Sequence, residues 1–117
     1  MTIDENSTRQ VAQTYFEAWR AKDMDRFRSI LAADVDFAGP LAQLTGLEDV
    51  STGSAGLWKI TSDLDVQRMH VEGADVITWF DLHTTVADPM PVANWTHVED
   101  GKITRIRVTF DPRGMMS

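Results

Sequence analysis

The chain has 117 residues, no cysteine and a formal net charge of −7. That length predicts one domain with a core of its own. The missing cysteines exclude disulfides, thiolate nucleophiles and cysteine metal sites, and the acidic balance argues against nucleic acid or an anionic membrane as partner.

The first ten residues are polar and do not read as a signal peptide, and no apolar run reaches the ~20 residues of a membrane span. A cytoplasmic location is therefore expected. Ser7 followed by Gln10 reads as a capping box, with Val11, Ala12, Tyr15, Phe16, Ala18 and Trp19 at helical spacing behind it. A first helix is predicted over about residues 8 to 21. Asp23 then caps a shorter helix carrying Met24, Phe27, Ile30 and Leu31 on one stripe. Residues 35 to 38 read as a short extended segment, stopped by Gly39-Pro40. Thr45 with Glu48 reads as a second capping box, opening a helix over about residues 47 to 60. Gly53 and Gly56 lie inside it at ~1 kcal/mol each against alanine, so this helix is expected to be broken or mobile.

Beyond it the chain reads as strand. Leu64 and Val66 share one phase while Met69 and Val71 share the other, which predicts a bulge near Gln67. Gly73-Ala74 is a turn, and residues 75 to 86 are rich in β-formers. Asp88-Pro89 with Pro91 makes an irregular connection. Residues 92 to 98 form a strand, Asp100-Gly101 a hairpin turn, and residues 102 to 110 the last strand. Helices followed by a meander of bent strands predict an α+β domain with helices on one face of an antiparallel sheet. One domain is expected over residues 1 to 117, with an ordered core over about 8 to 111 and flexible ends.

Four stretches carry a resemblance. They are Val11-Ala12-Gln13-Thr14-Tyr15-Phe16-Glu17-Ala18-Trp19 with Lys22-Asp23-Met24-Asp25; Leu31-Ala32-Ala33-Asp34-Val35-Asp36-Phe37 up to Gly39-Pro40; Phe80-Asp81-Leu82-His83-Thr84; and Asp100-Gly101-Lys102-Ile103 with Phe110-Asp111. In order and spacing the chain resembles the nuclear transport factor 2-like superfamily, in its SnoaL-like branch, over nearly its whole length. The resemblance implies a cone-shaped α+β barrel. Its N-terminal helices would pack in the concave face of a strongly curved, mostly antiparallel sheet, around an apolar cavity. Ketosteroid isomerases, limonene-epoxide hydrolases and polyketide cyclases share that fold, so the fold does not fix the function.

Carried over residue by residue, the family's active sites are incomplete. Tyr15 falls at the isomerase tyrosine and Asn94 at its second hydrogen-bond donor, but the base position falls on Gly39. Asp36, three residues earlier, could substitute only if the strand bends. Of the epoxide-hydrolase set, Asp81 aligns with a carboxylate, while Trp79 and Val108 stand where the arginine and second aspartate belong. Strand alternation puts Ile77, Trp79, Asp81 and His83 on one face, and the family alignment turns that face inward. Val76, Phe80 and Leu82 would then lie on the outer face, with Trp95, at a homodimer contact. Asn94, Thr96, Ile106, Val108 and Phe110 are expected inside.

Asp81, His83 and Tyr15 are thus the candidate catalytic residues: Asp81 as general acid or base, His83 as proton relay, Tyr15 with Asn94 on a polar ligand atom. Asn94, Trp19, Phe37, Trp58, Trp79, Val108 and Phe110 are the candidate substrate contacts. Plainer readings stand beside these: a core tyrosine, a structural buried carboxylate, a rim histidine. His70 and His97 read as surface or dimer-face residues. No metal and no cofactor is expected. The function implied is a cofactor-free isomerase, cyclase or lyase acting on a small apolar or polyketide-like substrate. The alternatives are a non-catalytic carrier of a small hydrophobic ligand and an interaction module.

Overall fold

A computed structural model of the chain describes residues 4–115. The N-terminus enters helix α1 (Glu5–Ala21) through Asp4, whose side chain accepts hydrogen bonds from the Asn6 and Ser7 backbone amides. The helix therefore starts earlier than the expected Ser7 cap. Ser7 instead donates its hydroxyl to Asp4 at 2.9 Å. Lys22 closes α1 in the left-handed region (φ 55°), and its N–H reaches the Ala18 and Trp19 carbonyls. Asp23 caps α2 (Met24–Ser29) by accepting from the Arg26 amide, as its position predicted.

Strand β1 (Leu31–Ala38) is longer than expected, and a short β2 (Gln43–Thr45) folds back onto it. Thr45 is thereby committed to the sheet, so the anticipated capping box does not form. Gly46 holds the N-cap of α3 (Leu47–Ile60) without a side-chain hydrogen bond. The helix is continuous through Gly53 and Gly56, contrary to the expected break. Packing supplies the reason at one of them: a Cβ at Gly53 would lie 2.5 Å from Leu44 Cδ1. The bare backbone there leaves room for the Leu44 side chain against the helix.

The remaining strands are β3 (Thr61–Glu72), β4 (Asp75–Thr84), β5 (Met90–Glu99) and β6 (Lys102–Thr109), before a 3-10 turn at Pro112–Met115. They form one six-stranded sheet in the order β2-β1-β6-β5-β4-β3. Only β1 and β6 pair in parallel. The register of β3 on β4 slips between Val66 and Arg68, where the change of phase in the sequence placed a bulge. Asp100 and Gly101 both take positive φ (52° and 77°), the backbone of a tight hairpin turn between β5 and β6.

The concave face of this sheet receives the helices. Phe16 and Trp19 of α1 set their rings 5.1 and 5.7 Å from Phe80 of β4, and Phe27 of α2 lies 5.4 Å from Tyr15 and 5.0 Å from Trp58. Val76, Thr78, Phe80 and Leu82 are all buried. Their partners on β5, Thr96, Asn94, Val92 and Met90, are buried with them.

This corrects the expected facing of β4. Ile77 and Trp79 are 46% and 48% exposed, and Asp81 and His83 share their outer phase. Val76, Phe80 and Leu82 face the core, not an outer dimer contact. Desolvation decides between the two phases. The alternative would bury a carboxylate and an imidazole while leaving Phe80 and Leu82 in water. Burying those two apolar side chains is worth ~1.5–3 kcal/mol each, and both terms favour the same face.

Candidate functional site

Between the helices and the concave sheet lies a cavity of about 330 Å³, within the size range of small-molecule sites. Tyr15 and Trp19 reach it from α1, Leu57 and Trp58 from α3, Phe80 and Leu82 from β4, and Val92 and Asn94 from β5. Phe37, Val108, Phe110 and Met115 also form part of the wall, and the loop Gly39-Pro40-Leu41-Ala42 borders it.

The interior is apolar apart from a few groups. Trp19 Nε1 donates to the Thr61 hydroxyl at 3.1 Å, and Thr61 donates onward to the Leu57 carbonyl at 2.9 Å, so that chain is closed within the protein. Tyr15 and Asn94 are less complete. Asn94 Nδ2 donates to the Tyr15 hydroxyl across a long 3.4 Å, and Asn94 Oδ1 is buried with no partner among the described residues. Burial pushes the Tyr15 hydroxyl up to about 12, and the Asn94 hydrogen bond only partly opposes it. At neutral pH Tyr15 is therefore an un-ionised phenol able to donate a hydrogen bond. Among the described residues, no other ionisable side chain lines the cavity.

Seven of the sequence-derived contacts thus share one space: Tyr15, Trp19, Phe37, Trp58, Asn94, Val108 and Phe110. Asp81, His83 and Trp79 do not join them, because the β4 phase carries them to the convex side. Their expected placement in the cavity is corrected on that ground. Asp36 is no substitute base either. It alternates with the cavity-lining Phe37 and pairs with Arg107 at 2.9 Å. Gly39 does border the cavity, so the position aligned with a catalytic base is present but bare.

Phe80, Leu82 and Val92 went unnoticed in the sequence as cavity residues, as did Leu44, Leu57 and Met115. The first two follow once the β4 phase is read from its charges: Asp75, Asp81 and His83 all fall in the odd set. Ser54 with Gly53 and Gly56 marks the thin stretch of α3 that borders the space.

The convex side carries a different group. Asp75 accepts from Trp95 Nε1 at 2.9 Å and meets His97 Nδ1 at 2.7 Å. Burial alone would raise the Asp75 carboxyl, but the His97 and Trp95 hydrogen bonds outweigh it and hold the group below its usual range. Among the described residues, no cluster of acidic and histidine side chains suits a metal ion, and no helix is long and apolar enough to cross a membrane.

Several solved structures share the fold. An NTF2-like protein of unknown function from Cytophaga hutchinsonii superimposes with a TM-score of 0.84 at 24% identity, over 100% of this chain and 98% of its own. An LEH-like epoxide hydrolase of M. tuberculosis gives 0.80 at 20% identity, over 95% and 87%. A de novo designed protein with a curved β-sheet gives 0.85 at 21% identity, over 95% and 90%. At these identities the likeness establishes architecture alone. No curated protein matches the chain. The model of the SnoaL-like domain matches residues 12–106, most of the sequence, and the chain accordingly belongs to the SnoaL-like domain family.

Proposed function

We propose that this protein binds a small, uncharged, largely apolar ligand in the cavity, with a polar end of the ligand against Tyr15 and Asn94. One observation carries the reading: the cavity is lined by mostly apolar side chains and a few neutral polar ones (Tyr15, Asn94 and Ser54), with no carboxylate, imidazole or cation among the described residues. A charged ligand would lose its hydration there and find no counter-charge. A proton-transfer enzyme needs a base within hydrogen-bond reach of its substrate. Tyr15, un-ionised up to about pH 12, donates rather than abstracts.

The test is a calorimetric titration with two bicyclic probes of similar size, neutral α-tetralone and anionic naphthoate. Tetralone is expected to bind and naphthoate to bind far more weakly. Equal or tighter binding of naphthoate contradicts the reading.

A second reading rests on the Tyr15–Asn94 contact itself. The un-ionised Tyr15 hydroxyl, polarised by the Asn94 N–H that it accepts, is a neutral donor that can stabilise developing negative charge on a carbonyl oxygen. This fits a cofactor-free isomerase or cyclase whose substrate supplies its own base. Turnover of a β-dicarbonyl probe that falls in Tyr15→Phe would favour this reading over simple carriage.

We also propose a homodimer through the convex sheet face. Ile77, Trp79 and Trp95 take the place of the inward-facing Val76, Phe80 and Leu82 in that contact. The support is the half-exposure of two large apolar side chains at one level of the sheet.

A further inference from the structure

The polar end of the cavity is more specific than a single donor would be. Asn94 is 1% exposed and its Oδ1 has no partner among the described residues, while Nδ2 donates to the Tyr15 hydroxyl at 3.4 Å. In this arrangement the Tyr15 oxygen is already an acceptor, so its proton is free to be donated into the cavity. Asn94 Oδ1 remains a free acceptor beside it. An amide can also be turned about, exchanging its nitrogen and oxygen. Tyr15 would then donate to Oδ1, leaving its own lone pairs as acceptor and the Asn94 NH₂ as donor. Both assignments leave the same pattern: a donor and an acceptor, side by side, at one end of a largely apolar wall.

A lone ketone satisfies only half of that pattern and leaves a buried acceptor unpaired, which costs more than an ordinary hydrogen bond contributes. A hydrocarbon satisfies none. A ligand with a donor and an acceptor on one edge satisfies both.

We propose that the cavity selects neutral ligands carrying an adjacent donor–acceptor edge: a lactam or cis-amide, or the enol form of a β-dicarbonyl whose hydroxyl is not closed on itself. This rests on the binding reading above and narrows its ligand class. Tyr15 and Asn94 act as specificity residues, and the apolar wall supplies affinity without discrimination between such ligands and plain hydrocarbons of the same size. Bare hydrophobic carriage would need neither polar atom. A site built to stabilise one oxyanion would present two donors to one point.

Three flat bicyclic probes of similar size separate these cases: naphthalene, α-tetralone with an acceptor alone, and carbostyril with a lactam N–H beside its carbonyl. Calorimetric titration of the wild-type protein is expected to rank carbostyril about tenfold tighter than tetralone, the value of one additional satisfied hydrogen-bond pair. In Asn94→Leu, which keeps the side-chain volume, the ranking should flatten while naphthalene binds at least as well as before. Tyr15→Phe should flatten it by the same route, and retained naphthalene binding shows that each variant is folded. Equal wild-type affinity for carbostyril and tetralone overturns the donor–acceptor assignment and leaves the apolar site standing. An unchanged preference for carbostyril in both variants overturns it as well. Failure of all three probes to bind overturns the ligand-binding reading and this inference together.

Discussion

Tyr15 is the chain's only tyrosine, so its ionisation can be followed without interference. Burial moves that ionisation from 10.0 to about 12. Between those values the unfolded chain loses its phenolic proton while the native protein keeps it. The native state then binds the extra proton, so stability contributed by this group is intact below pH 10 and falls as pH rises toward 12. At 1.36 kcal/mol per pH unit the full loss is about 3 kcal/mol. The assay is tyrosinate absorbance recorded immediately after a rapid jump to alkaline pH, before the protein unfolds. Native protein should remain un-ionised at pH 11, and the tyrosinate signal should grow in only with the slower unfolding. Denaturant titrations should show wild type losing more stability than Tyr15→Phe between pH 9 and 11. At neutral pH Tyr15→Phe should cost about 1–3 kcal/mol, because the buried Asn94 Nδ2 loses its acceptor. An instantaneous tyrosinate signal with a midpoint near 10 would place the hydroxyl in water and refute the buried donor.

Three other outcomes follow from the facing of β4 and from the cavity wall. Phe80→Ala should cost about 3–5 kcal/mol in chemical denaturation, the usual range for emptying an aromatic core position. Trp79→Ala, one residue away but half-exposed, should cost much less, and a reversal of that order would restore the opposite phase. Asp81→Asn and His83→Ala should leave tetralone affinity unchanged within about twofold, since neither side chain lines the cavity; a tenfold loss by calorimetry would contradict this. Trp79→Glu should convert a dimer to monomer in sedimentation experiments at micromolar concentration, and a wild-type monomer there would dispose of the convex-face contact.

Much of the architecture was legible in the residues. Asp23 announced its helix, the change of phase around Gln67 announced the β3 bulge, and Asp100-Gly101 announced the last hairpin. These are local signals, fixed by capping, side-chain alternation and turn geometry, and local signals survive folding. The misread features depend on contacts between distant segments. Thr45 looked like a helix cap but pairs with Asp36 in the sheet. The glycines of α3 looked like breaks, yet Gly53 provides the close approach of Leu44. Strand β4 is the instructive case. Ile77 and Trp79 match Val76 and Phe80 in apolar character, so alternation there leaves the phase open, and only the charges at Asp75, Asp81 and His83 mark the solvent side. Family alignment placed a catalytic carboxylate at Asp81 and so pulled the phase the wrong way. Tyr15 and Asn94 were found correctly as neighbours, but the unpaired Asn94 oxygen depends on the three-dimensional count of hydrogen bonds and has no sequence signature.

The four tryptophans offer a direct test of where a ligand sits. Trp19 and Trp58 line the cavity, while Trp79 and Trp95 belong to the convex phase of the sheet. Protein grown on fluorotryptophan gives one fluorine resonance for each, assignable by single Trp→Phe substitutions. On titration with carbostyril, the Trp19 and Trp58 resonances should shift and saturate together while those of Trp79 and Trp95 stay in place. Shifts confined to Trp79 and Trp95 would put the ligand on the Asp81–His83 side of the sheet and contradict the cavity as the functional site.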